Sequence, residues 1–101
     1  MATPTDDGGK AAAEVVMYAT ATCPYCIRAE ALLSARGATI AKIRVDLEPE
    51  RRVEMMRRSG RRTVPQIYID GRHVGGYDDL AALDRAGGLR PLLDRREAPE
   101  A

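Results

Sequence analysis

From its first apolar run onward, the chain alternates short strand-like and helix-like patterns. Val15, Val16, Met17 and Tyr18 form a compact apolar stretch bounded by turn-compatible residues, which predicts a buried strand over residues 15–18. Residues 24–36 carry a helical pattern in which Ile27, Glu30, Ala31 and Ser34 share sides and Leu32 and Leu33 are apolar. Pro24 suits a first helical position, where the missing N–H costs nothing, and Gly37 suits the position just past the end. Residues 39–45 (TIAKIRV) are rich in β-branched side chains and predict a second strand, closed by Asp46. A second helix follows over residues 49–59, with Val53 and Met56 on one side and Gly60 as its stop. Residues 66–69, the pair Asp70-Gly71 and residues 72–74 read as a β-hairpin on a tight turn. Residues 78–86 predict a third helix ended by Gly87-Gly88, and residues 89–94 a short fourth.

A strand, a crossover helix and a second strand make a right-handed βαβ unit the expected arrangement. The whole order, βαβα and then ββα, predicts an α/β fold with a four-stranded mixed sheet and helices on both faces. Residues 1–13 and 95–101 are small, polar and without apolar period. They read as a disordered amino-terminal extension and a flexible carboxy-terminal tail, which leaves residues 14–94 as the working domain.

Composition narrows the classes. A chain of 101 residues has room for one small domain, which hides roughly two-thirds of the surface its unfolded form exposes. Hydrophobic residues make up 45% and charged residues 31%, as in an ordinary soluble protein, but only the four tyrosines are aromatic, so aliphatic side chains must fill the core. Lysine plus arginine is 16 and aspartate plus glutamate 15, a net charge of +1 that argues against a general nucleic-acid or membrane-surface binder. No run approaches the roughly 18 apolar residues of a membrane span, and the first residues lack the order of a signal peptide. A reducing cytoplasmic location is expected, and there a cysteine pair needs a chemical explanation.

Both cysteines lie in Cys23-Pro24-Tyr25-Cys26, at the junction of the first strand and first helix. A helix amino terminus carries about half a positive charge and unpaired N–H donors, so a thiolate there is stabilised. Cys23 sits at the helix start, and Cys26, three residues on, lies on the same face one turn deeper. The outer sulfur attacks and the inner one resolves. A zinc half-site shares this spacing, but zinc needs four ligands and the chain offers no third cysteine and a single histidine, His73. An inert buried pair is the other alternative; spacing and placement favour a redox pair.

At this point the sequence resembles a known family. Tyr18 with Thr22-Cys23-Pro24-Tyr25-Cys26, then Thr63-Val64-Pro65-Gln66-Ile67, then Gly75-Gly76-Tyr77-Asp78-Asp79-Leu80, is similar to dithiol (class I) glutaredoxins of the bacterial glutaredoxin 3 type. The likeness runs from Val15 to about Leu93, with the motifs in family order and spacing. It implies the thioredoxin fold and glutathione-dependent reduction of protein disulfides and glutathionylated proteins, with glutathione as co-substrate and no tightly bound cofactor or metal. It implies that Pro65 is cis and faces Cys23 and Cys26, which would let Val64 turn its N–H and C=O toward an extended peptide such as glutathione. Thr63, Val64 and Pro65 are thus candidate glutathione contacts. So are Gly76, Tyr77 and Asp78, where backbone N–H groups at a helix start would receive the γ-glutamyl carboxylate and the Asp78 side chain its ammonium. Tyr25 could shield the attacking sulfur. Arginines at 51, 52, 57, 58, 61 and 62 suggest a positive rim, and by resemblance Arg52 sits where the family contacts the glycine carboxylate. Aromatic residues do not interleave with that cluster, which speaks against nucleic acid. Tyr18 reads as sheet core, and His73 as an exposed hairpin residue without catalytic duty.

Two departures from the family are visible. Thr20 stands where the family often has lysine, and Tyr77 where many members have a third cysteine. Two other functions share the motif: a carrier in which two chains hold a [2Fe–2S] cluster through Cys23 and two glutathiones, and a redoxin reduced by thioredoxin reductase. The cluster carriers typically have glycine, phenylalanine and serine after the first cysteine, where this chain has Pro24, Tyr25 and Cys26. The expected partners are glutathione and disulfide-bonded or glutathionylated client proteins, with no nucleic acid and no membrane, and the expected state is a monomer.

Overall fold

The computed structural model describes residues 13–94; the expected extension and tail, apart from Ala13, lie outside the described residues. In chain order the elements are β1 (Val15–Ala19), α1 (Pro24–Ala35), β2 (Ile40–Arg44), α2 (Pro49–Ser59), β3 (Gln66–Ile69), β4 (Arg72–Gly75), α3 (Tyr77–Arg85) and α4 (Leu89–Leu93). The strands form one sheet in the order β2-β1-β3-β4. β1 pairs parallel with β2 and antiparallel with β3, and β3 pairs antiparallel with β4. This is the expected four-stranded mixed sheet of the thioredoxin fold.

The two faces of the sheet follow from the two-residue period of a strand. Val15, Met17 and Ala19 point to one face, where they pack with Ile67 and Ile69 of β3, Ala29 and Leu33 of α1, Leu80 of α3 and Leu89 and Leu93 of α4. Tyr18 points to the other, with Val45, Tyr68 and Met55 of α2. β1 is therefore apolar on both sides, which is why it reads as an unbroken run rather than an alternation. Ala13 already belongs to the first layer: it is buried, and its N–H donates to Leu93 O at 3.0 Å.

Helix phase differs from the sequence pattern at two places. In α1 the buried stripe is Cys26, Ala29 and Leu33, and Ile27 is 60% exposed. In α2 Met55 is buried and Val53 is 44% exposed. The side that α2 turns to the sheet is flanked by polar groups that also find partners. Those are Glu54, which accepts from the Tyr18 hydroxyl, and Arg58, whose Nη1 donates to the same oxygen at 2.9 Å. The hairpin turn is as expected, with positive φ at both central residues, 51° at Asp70 and 81° at Gly71, the form that matches strand twist.

The Tyr18 hydroxyl is the polar tie between the central strand and α2. Burial, the first cause, and the Glu54 carboxylate raise its pKa, and Arg58 opposes them, so the phenol stays protonated and keeps donating to Glu54. Tyr18→Phe removes both hydrogen bonds from a fully buried position. It is expected to lower unfolding free energy by about 1–2 kcal/mol in urea denaturation with little change in the slope.

Candidate active site

Helix α1 begins on a sulfur. Cys23 is its N-cap, in extended conformation at φ −88° and ψ 116°, and Pro24 takes the first helical position. The Cys26 N–H donates to Cys23 Sγ at 3.3 Å, the place a serine or aspartate oxygen fills in an ordinary cap. Cys23 is partly exposed, and its thiol donates to Val64 O at 3.7 Å. Cys26 is 3% exposed and packs with the core layer of β1 and α1. Burial first, and then the neighbouring Cys23 sulfur, push the Cys26 thiol up to about 12 against a backbone hydrogen bond from Thr20. One sulfur is thus reachable and capped by a backbone amide, and its partner is shielded and protonated at neutral pH. This asymmetry is what a pair of attacking and resolving thiols requires.

Beside Cys23 lies an open cleft of about 350 Å³ built from segments far apart in sequence. Tyr25 supplies one wall; Thr63, Val64 and Pro65 form the floor; Gly76, Tyr77 and Asp78 close the far side at the start of α3. The Val64–Pro65 peptide is cis. The Tyr25 and Tyr77 rings stand 6.2 Å apart between centroids, joining the starts of α1 and α3, and the Arg28 guanidinium lies 5.4 Å from the Tyr25 ring centre. All the expected contact residues line this cleft except Arg52, which donates to Arg62 O at 3.4 Å.

Arg61, expected only as part of the arginine rim, and Asp79, for which no role was expected, are in the wall as well. Asp79 Oδ2 accepts from the Gly76 N–H at 3.0 Å and from Arg61 Nη1 at 3.0 Å. The Gly76 amide first, and Arg61 second, hold the Asp79 carboxyl below the usual range. An acidic residue three places after a helix N-cap is a recognisable signature, so Asp79 was legible in principle. The same carboxylate explains Gly75, whose φ is 120° and where an added Cβ would lie 2.3 Å from Asp79 Oδ2.

The arginine cluster divides on inspection. Arg51 pairs with Glu54 at 2.7 Å, Arg58 serves Tyr18 and covers the Tyr68 ring at 4.0 Å, and Arg61 pairs with Asp79. His73 corrects the sequence reading. It is half-buried, stacked on Tyr68 with centroids 4.8 Å apart, and its Nε2 lies 2.8 Å from Gln66 Oε1. Burial, and then Arg61, lower its pKa, so it is neutral at neutral pH.

A sheet of this topology with a helix-capping cysteine, a second thiol one turn inside it and a cis-proline floor beside them defines a thiol–disulfide oxidoreductase. A family model for glutaredoxin matches residues 15–74. Glutaredoxin 3 of Escherichia coli (strain K12) is 56% identical over 81 residues, covering 80% of this chain and 98% of that one. The solution structure of glutaredoxin from Brucella melitensis superposes with a TM-score of 0.77 at 46% identity, over 91% of this chain and 100% of that one. The crystal structure of the buckwheat glutaredoxin–glutathione complex does so with a TM-score of 0.76 at 32% identity, over 80% and 76% of the two chains. The chain belongs to the glutaredoxin family.

The thiol asymmetry has a direct readout. Iodoacetamide added to the reduced, folded protein at about pH 8, near the ordinary thiol pKa, should alkylate Cys23 alone by mass spectrometry, with Cys26 modified only after unfolding. The sign of the linked stability follows. Native Cys26 keeps its proton where an unfolded cysteine loses it, so its contribution is constant below about pH 8.5 and declines above that. Equal labelling of both sulfurs in the folded state would contradict the assigned roles.

Proposed function

We propose that this protein reduces protein–glutathione mixed disulfides and protein disulfides with glutathione as electron donor, through Cys23 and Cys26. The observation that carries this reading is the reachable Cys23 sulfur beside a cleft of tripeptide size. The glutathione in the buckwheat complex supports the same ligand here.

In the deglutathionylation route, the Cys23 thiolate attacks the glutathionyl sulfur of the client. The client's sulfur leaves as a thiolate and takes a proton, and Cys23 holds glutathione in a mixed disulfide. A second glutathione thiolate attacks the glutathionyl sulfur of that bond, releasing oxidised glutathione and the Cys23 thiolate. Cys26 takes no part. When the client carries a disulfide, Cys23 forms a mixed disulfide with it. Cys26 then attacks Cys23 Sγ, giving up its proton as the client thiolate departs, and two glutathiones reduce the resulting bridge. A Cys26 thiol at about 12 keeps this second route idle until the mixed disulfide forms beside it.

The binding roles follow the lining. Val64 would pair its N–H and C=O with the backbone of the glutathione cysteine. The N–H groups of Tyr77 and Asp78 would receive the γ-glutamyl carboxylate, with Asp78 opposite the ammonium. Tyr25 covers the sulfur, Thr63, Pro65 and Gly76 shape the floor, and Arg52, helped by Arg61, draws the glycine carboxylate. We further propose a cytoplasmic monomer that acts on disulfide-bonded or glutathionylated clients. Among the described residues no helix is long and apolar enough to cross a membrane. The comparisons favour neither a cluster carrier nor a redoxin fed by thioredoxin reductase.

Cys23→Ser should reduce both activities to background, while Cys26→Ser should retain deglutathionylation and lose reduction of protein disulfides. The check is NADPH oxidation coupled through glutathione and glutathione reductase, run beside thioredoxin reductase as alternative donor. Activity with the second donor alone would refute the glutathione reading.

A further inference from the structure

Gln66 follows the cis-proline and, tyrosines aside, is the one buried residue of polar or charged type among the described residues. Its amide is used at both ends. Nε2 donates to Thr63 O at 3.0 Å and lies 3.4 Å from Thr63 Oγ1, and Oε1 faces His73 Nε2 at 2.8 Å. Reversing the amide would set two acceptors against each other at Thr63 O, so the orientation is determined by the bonds it makes. His73 Nε2 therefore carries the proton and donates. His73 is itself held by stacking on Tyr68, a ring that Arg58 also covers. A continuous polar chain thus runs from the edge strand β4 through the interior to the loop that floors the cleft.

What that chain holds is a peptide plane. The Thr63–Val64 bond is trans, so its C=O and N–H point in opposite directions. Drawing Thr63 O inward onto buried Gln66 turns the Val64 N–H outward, toward the cleft that Thr63 and Val64 line. We propose that Gln66 and His73 are positioning residues for substrate binding: together they fix the Thr63–Val64 plane so that the Val64 N–H is preset to pair with the cysteine carbonyl of a glutathionyl substrate. This rests on the glutathione reading above and adds to it the residues that prepare the binding edge. Neither side chain touches the substrate. Their effect falls on an interaction made equally before and during the reaction, so it belongs in KM and not in kcat.

The test compares Gln66→Met, His73→Leu and His73→Gln with the native enzyme, using a glutathionylated peptide as substrate. Methionine and leucine keep volume but make neither bond, and glutamine at 73 can place an amide N–H where the imidazole Nε2–H stood. Gln66→Met is expected to raise KM about five- to tenfold, and His73→Leu about threefold, the loss of one or two hydrogen bonds' worth of positioning. In both, kcat should stay within about twofold, and so should the iodoacetamide rate at Cys23, which needs no backbone pairing. His73→Gln should bring KM back to within about twofold of native. A merely structural pair would lower the melting temperature while leaving KM unchanged and His73→Leu and His73→Gln alike, and that result overturns the proposal. If Gln66→Met does not fold, the His73 pair on the edge strand decides alone. If the native enzyme reduces protein disulfides but does not turn over the glutathionylated peptide, the glutathione reading fails first, and the proposal with it. The two failures are told apart by the native control.

Discussion

The bond from the Cys26 amide to the Cys23 sulfur is the contact on which the site depends. A helix start leaves backbone N–H groups without partners, and something must satisfy them. Here a sulfur does so, which makes the first turn of α1 structural and reactive at once. The same turn brings Cys26 round onto the buried stripe of the helix, where the core excludes water and keeps its thiol protonated. One local requirement, capping a helix, thereby separates two chemically identical side chains into an exposed sulfur and a reserved one.

The rest of the fold serves to bring two other segments up to that turn. β1 is the reference: it pairs with β2 on one side and β3 on the other, and both of its faces are covered. Because β3 runs antiparallel to β1, its amino end and the Thr63–Pro65 loop before it arrive beside the carboxyl end of β1, where α1 starts. The hairpin returns the chain along β4 so that α3 begins at the same edge, with Asp79 closing its first turn onto Gly76 and reaching Arg61 beside it. Overall charge says little about the partner of such a cleft. The net +1 conceals a local arginine cluster, of which several members are committed to internal ion pairs and aromatic faces.

Much of this was legible without coordinates. Element order, the Asp70-Gly71 turn, the proline at the first position of α1 and the location of both cysteines at one helix start all depend on signals within a few residues, and such signals survive outside the fold. The cis peptide, and a ligand-binding role for the helix start at Tyr77 and Asp78, were expected only through resemblance to a family. Assignments that required knowing which distant residue lies opposite were harder. Ile27 and Val53 look like core residues in a helical pattern yet face solvent, because Cys26 and Met55 were the sides that the sheet could cover. His73, on a hairpin, looks solvent-facing, but stacking against Tyr68 withdraws it from water.

By itself, then, the sequence determined a βαβα–ββα chain with a single dithiol at a helix start, since periodicity, capping and turn chemistry are written locally. Only the tertiary structure decided which arginine enters the cleft and pairs with Asp79, and that Gln66 joins His73 to the Thr63 carbonyl. Those choices depend on the register and packing that bring residues together across gaps of up to 18 positions in the chain. No local pattern encodes such distances, because each is set by how the whole sheet and its helices fit together.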